Sequence, residues 1–218
     1  MKFMVQSWQF RTSHPDAHYA SALFRYLREF AVRYQPHSTF VCQDDKHAIK
    51  VGEPGCPVAA VDRGKAVLGG VDQKLAVLGG VDQKLAVSDH DFTKFSMTPS
   101  ANLEVDVPLS LEGYFYRGTV HIGLKDSTFQ PSSGARHAAE LAQLLKSKPK
   151  VKPILLLYTD GGPDHRLTFL SCQLALLSLF VELDLDFLCA VRTPPYNSWK
   201  NPVERMMSIV NIALSGVA

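Results

Sequence analysis

Apolar and polar residues along this chain of 218 residues fall into separate patterns, and each pattern predicts an element. Tyr19, Leu23, Tyr26, Leu27 and Phe30 recur at helical spacing, so 15–34 reads as an amphipathic helix. Ser13 is its candidate cap, Pro15 lies near its start and Pro36 ends it. A strand then begins at 39–42, and 48–51 is a second extended piece before a Gly- and Pro-rich turn at 52–57. Residues 88–113 show no clear period, with Phe92, Phe95 and Met97 as anchors, whereas 114–124 alternates well enough for one or two strands.

The second half is clearer. Ala138, Leu141, Ala142 and Leu145 share one face of a helix over 133–148, and PILLLYT at 153–159 is a wholly apolar strand of the kind covered on both faces. A long apolar helix follows over 164–183, then a strand at 187–191, the loop TPPYNSWK, and a last helix at 201–216. The apolar stretch 167–181 is interrupted by Thr168, Ser171, Gln173 and Ser178 and is shorter than the roughly 20 residues of a membrane span, so it reads as a buried core helix. The order is three early strands, helix, strand, helix, strand, helix: an α/β fold with a mixed five-stranded sheet flanked by helices.

Between the early strands lies VDRGKAVLGGVDQKLAVLGGVDQKLAV, a ten-residue unit copied over 61–87. Barely three short units cannot stack into a solenoid core, so the array reads as an expanded surface loop. Its acids Asp62, Asp72 and Asp82 are products of copying and not ligands.

Composition narrows the classes. Apolar residues make up 46% and charged residues 20%, with a formal net charge of +2, which suits a globular protein and permits a polyanionic partner without announcing one. Cys42, Cys56, Cys172 and Cys189 form no C-x-x-C pair, and three of them sit in apolar stretches as expected of buried free thiols in a reducing compartment. The N-terminus lacks the apolar core and cleavage site of a secretion signal.

The chemistry lies in acids at element ends. Asp160 stands where PILLLYT runs out into Gly161 and Gly162. There the backbone can turn sharply and ligands gather in open α/β sheets, although Asp-Gly-Gly is also a plain turn. Glu204 falls in the first turn of the last helix, where Asn201, Pro202 and Glu204 also resemble a capping box. Asp44 and Asp45 end the first strand or tip a hairpin, and periodicity does not say which faces a metal. Carboxylates on separate elements can converge on divalent ions for phosphodiester chemistry. Trp199 and Tyr196, with Lys200 and Arg205, mix aromatic and basic groups beside Glu204 in a way that suits nucleic acid, or equally a packed loop.

FVCQDDKHAIKVG, YTDGGPDHR and NSWKNPVER together resemble the three acid-bearing motifs of the DDE transposase and retroviral integrase superfamily, most nearly those of mariner-type transposases. The resemblance covers about 39–217 and implies an RNase H-like catalytic core over 37–218, preceded by a helical lead-in over 1–36. It makes Asp44 (with Asp45 as substitute), Asp160 and Glu204 the catalytic metal ligands, accompanied by Pro163, His165, Asn201 and Pro202. It also implies a two-metal Mg²⁺ or Mn²⁺ site, DNA hydrolysis and strand transfer, and DNA as partner, with Lys46, His165, Trp199, Lys200 and Arg205 as DNA contacts. A homodimer is expected, with no membrane and no small-molecule cofactor. The implied location is the nucleus of a eukaryotic host, or otherwise the cytoplasm, and not outside the cell.

Two departures from the pattern are visible. Between Asp160 and Glu204 lie 43 residues, wider than is usual for mariner-type enzymes. No helix-turn-helix or zinc module that would read transposon ends is recognisable ahead of the core. The decapeptide expansion and the abrupt C-terminus suggest a fragment or a decaying element-derived gene. The competing expectations are a catalytically silent remnant that binds nucleic acid or protein, and an RNase H-like nuclease acting on RNA or a heteroduplex.

Overall fold

The computed structural model describes residues 15–46, 49–50, 56–60, 65–69, 96–126, 129–194 and 197–214. The elements are α1 (Ala17–Arg33), β1 (Ser38–Asp45), β2 (Ile49–Lys50), β3 (Cys56–Ala60), β4 (Lys65–Gly69), β5 (Ser96–Val105) and β6 (Gly118–Asp126). They continue with α2 (Gly134–Lys146), β7 (Ile154–Thr159), α3 (Leu170–Glu182), β8 (Phe187–Arg192) and α4 (Glu204–Leu214). Ser13, Phe92, Phe95, Tyr196 and the repeat acids Asp62, Asp72 and Asp82 lie outside the described residues.

The main sheet runs β6-β5-β1-β7-β8. β1, β5 and β6 are antiparallel neighbours, while β7 lies parallel to β1 and β8 parallel to β7. This is the RNase H-like arrangement, mixed and flanked by helices, that the resemblance implies. The two-residue β2 also pairs with β5, at Met97 and Ser96, and so resumes along β5 the pairing that β1 leaves at Ser100. Asp44 and Asp45 are therefore strand residues and not the tip of a hairpin folding back through 48–51. β3 and β4 form a separate antiparallel ribbon, so part of the first repeat unit is strand and not loop.

Ser96–Val105 is a ten-residue inner strand where no period was apparent. Its even and odd positions do alternate, with Met97, Pro99, Ala101, Leu103 and Val105 on one parity. A strand residue's N–H and C=O point toward the same neighbour. The Pro99 carbonyl accepts from the Lys46 N–H at 2.8 Å, so its missing N–H falls beyond the last paired residue of β1, where a ladder bond is not required.

Alternation along β1 and β7 divides the core in two. Phe40, Cys42, Leu156 and Tyr158 pack with Leu27 and Ala31 of α1, with Val203 just ahead of α4 and with Met207 in its first turn. Val41, Leu155 and Leu157 pack with Leu141, Ala142 and Leu145 of α2 and Leu179 of α3. Ser133 caps α2, its hydroxyl accepting from the Arg136 N–H at 3.1 Å.

The long apolar helix is a correction to the expected buried one. A single turn at Pro163–His165 comes first, and α3 proper starts at Leu170. Cys172, Ala175 and Leu179 are buried, but Leu170, Leu174, Leu177 and Val181 on the opposite face are exposed. No described helix is long and apolar enough to cross a membrane. Cys42, Cys172 and Cys189 are free, the first two buried.

Candidate metal centre

Adjacent strand residues face opposite sides of a sheet, and this parity separates the two acids of β1. Asp44 shares the parity of Phe40 and Cys42 and looks toward α4, while Asp45 shares that of Val41 and looks toward α2. The structure thereby makes a distinction that the sequence left open.

Asp44 is buried, only 6% exposed. Burial raises its carboxyl to about 9, helped by the charges of Asp160 and Glu204 and by a hydrogen bond to the Glu204 side chain, with only the Asp45 backbone N–H acting in the other direction. The site therefore favours the protonated form of the Asp44 carboxyl, which hydrogen-bonds the Glu204 side chain. Asp44 thus bonds Glu204 and feels the charge of Asp160, but among the described residues these three acids do not form a group whose ligand atoms all lie within 4.8 Å of one another. No ion pair joins any of the three to a basic side chain among the described residues.

Glu204 does not close a capping box. The Asn201 N–H donates to the Ser198 carbonyl at 2.7 Å, and the buried Asn201 side chain is used elsewhere. Its amide donates to the Gln43 carbonyl at 2.9 Å and its oxygen accepts from the Val203 N–H at 3.4 Å. Asp160 accepts from the Gly162 N–H at 2.9 Å, and Gly161 takes the left-handed φ of 78°. That turn brings Asp160 beside a cavity of about 260 Å³ lined also by Arg166, Phe169, Arg192 and Thr193. The Arg166 guanidinium lies 4.7 Å from the Phe169 ring centre. Arg166 and Arg192 were missed as candidate contacts; Arg166 stands in the quoted YTDGGPDHR, while Arg192 is marked only by its place at the end of β8.

Asp45 belongs to a different cluster. Its two carboxylate oxygens each lie 3.1 Å from the Lys125 ammonium, Ser132 donates to it, and His137 Nε2 is 3.3 Å away. Burial pushes the Asp45 carboxyl up, but the bonds and charges of His137, Ser132 and Lys125 outweigh it and hold the group well below the usual carboxylate range. Ligand atoms of Asp45, His137 and Asp164 all lie within 4.8 Å of one another, as in a group able to hold a metal ion. Lys125 and His137 carry no motif signal, since a lone Lys near a strand end and a His on an apolar helix face read as ordinary.

The expected DNA contacts are dispersed. His165 turns toward His137, with ring centres 4.0 Å apart, and its Nε2 is buried without a partner. Burial, then the charge of His137, lowers His165 to about 3, so it is a neutral inward group and not a contact for phosphate. Trp199 is 49% exposed with the Lys200 ammonium 5.6 Å from its ring, and Lys200 also reaches Ser21 at 3.2 Å. Arg205 bonds the Tyr114 hydroxyl at 3.2 Å and lies 4.0 Å over the Tyr116 ring. The Lys46 N–H is held by Pro99 at the end of β1.

No family model matches the sequence, and no curated protein does. Among solved structures, a Mos1 mariner paired-end complex with Mn aligns over 98% of this chain and 53% of that chain, at 14% identity and a TM-score of 0.47. A Mos1 transposase paired-end complex with the left transposon end gives 98%, 53%, 15% and 0.45, and a pre-cleavage Mos1 transpososome 98%, 54%, 11% and 0.44. This chain therefore spans about half the length of the chains it is aligned with. By its own strand order and the placement of its three acid-bearing motifs, the chain resembles the RNase H-like catalytic domain of mariner-type DDE transposases.

Proposed function

We propose that this chain is the catalytic core of a DDE-type DNA transposase or integrase, with Asp44, Asp160 and Glu204 as ligands of two Mg²⁺ or Mn²⁺ ions. The observation that carries the reading is the buried Asp44 carboxyl, hydrogen-bonded to Glu204 and raised further by Asp160. Acids that raise one another in a buried site are relieved by a proton or a cation, and hard oxygen donors suit Mg²⁺ and Mn²⁺. Divalent ions bound there would activate an attacking water or DNA 3′-hydroxyl and offset charge on the leaving 3′-oxygen.

The chain's own residues then have separate tasks. Asp44, whose carboxyl burial and its acid neighbours raise, gives up its proton when the site is loaded. Asn201 fixes the start of α4 against β1, holding Glu204 opposite Asp44. Arg166 and Arg192, in the cavity beside Asp160, take the phosphate backbone. Trp199, exposed next to Lys200, offers a stacking face for a base. A second copy of the chain belongs to the same reading as a partner, and nuclear location in a eukaryotic host follows from the DNA substrate.

Nicking of supercoiled plasmid in Mn²⁺ tests the proposal. Wild-type protein should nick, and Asp160→Asn should lose about 10²-fold or more while keeping its fold. Equal nicking by Asp160→Asn would sink the assignment.

A further inference from the structure

Lys125 is wholly buried on β6. In the sheet, Asp45 pairs with Ser100 and Ser100 with Gly123, two residues before Lys125, so the lysine reaches across β5 to the end of β1. Its ammonium lies 3.1 Å from each Asp45 oxygen, 2.9 Å from His137 Nε2 and 3.1 Å from Ser132 Oγ. Those partners overlap with the Asp45, His137 and Asp164 group whose ligand atoms lie within 4.8 Å of one another. A further imidazole, His165, packs on His137 with its Nε2 buried and unpartnered. Two carboxylates and an imidazole, Asp45, Asp164 and His137, form a donor set that transition metals take. The cation actually present is an ammonium.

The geometry points to Lys125 as the resident cation of a metal-ligand cage, standing where a divalent ion would and keeping metal off Asp45. Burying an ammonium is costly, and well-packed apolar replacements of buried ion pairs are often neutral or stabilising, so packing alone does not call for a lysine here. The ammonium supplies one positive charge to Asp45, with Glu140 the next carboxylate at 3.9 Å, and so commits Asp45. Asp44, one residue away on the opposite face, is left as the only β1 acid open to metal. This last consequence rests on the proposed function; the cage itself does not.

The test uses Lys125→Met, which ends one atom short of the ammonium position, in an Asp160→Asn background that disables the proposed triad. Co²⁺ is the probe, followed by visible absorption and thermal unfolding. Lys125→Met/Asp160→Asn should bind a single Co²⁺ with the bands of an imidazole-containing site, about 10–100-fold tighter than Asp160→Asn alone, and should unfold at higher temperature with the ion than in EDTA. Adding His137→Ala should abolish both effects. A Lys125→Met/Asp160→Asn protein that folds but binds no Co²⁺ overturns the inference. So does one that stays unfolded with and without the ion, because the metal has then failed to replace the ammonium. Mn²⁺ binding by wild type against Asp160→Asn reports on the proposed function separately, and either result can fail while the other stands.

Discussion

The side-chain amide of Asn201 donates to the main-chain carbonyl of Gln43 at 2.9 Å, fastening the start of the last helix to the first strand one residue before Asp44. Asn201 is 158 positions from Gln43 and buried, so the bond is a long-range tie between the elements carrying Glu204 and Asp44. Asn201→Ala leaves the Gln43 carbonyl and the Val203 N–H without their partner. It should destabilise the fold by roughly 2–3 kcal/mol in urea titration. It should also weaken Mn²⁺ binding, although it touches no metal. A variant with wild-type midpoint and affinity would remove Asn201 from the account.

Asp44 gives a pH signature in metal-free buffer. Its folded value is about 9 against 3.8 for the free group, so above pH 4 the unfolded chain ionises while the folded one does not. The folded state then holds the extra proton, so stability falls as pH rises through the window from about 4 to 9. Asp44→Asn should flatten that slope and be the more stable protein at pH 8 in EDTA. Asp45, whose carboxyl is held low, acts only below pH 4 and with the opposite sign, so it does not mask the effect. Parallel pH profiles for wild type and Asp44→Asn would contradict the raised Asp44 carboxyl.

Because the site must lose that proton to bind a cation, Mn²⁺ affinity should climb as pH rises from about 6 to 8, with release of protons on binding. Calorimetry in buffers of different ionisation enthalpy reads this directly. An affinity independent of pH would place the metal elsewhere.

Arg166 and Arg192 face the cavity beside Asp160 and should meet phosphates. Each change to Ala is expected to weaken DNA binding regardless of sequence and to lower the salt-dependence slope by about 1. Anisotropy titrations at several salt concentrations show whether the slope moves. An unchanged slope in Arg166→Ala and Arg192→Ala would put the DNA on another face.

The sequence made some of this readable and hid the rest for physical reasons. PILLLYT ran to Thr159 as a doubly covered strand, and Asp160 fell at its end, because a wholly apolar run has few alternatives. β5 was missed because 88–113 showed no clear period, and its Pro99 is tolerable only because it stands beside the end of β1. Asp44 and Asp45 could not be told apart, since parity has meaning only once the faces are known. Phe40 and Cys42 supplied that by packing with α1 and α4. The Lys125–Asp45 contact spans 80 positions, so no local pattern could announce it. The apolar face of α3 at Leu170, Leu174, Leu177 and Val181 was read as buried because composition records apolarity and not what lies against it.

The central claim is that Asp44, Asp160 and Glu204 form one cation-binding centre. Calorimetric titration of Mn²⁺ into wild type beside Asp160→Asn, at pH 7.5 or about that, tests it without any choice of DNA sequence. The account predicts saturable binding in wild type that disappears in Asp160→Asn at unchanged thermal stability. Equal binding by both proteins, or none by the wild type, would contradict it.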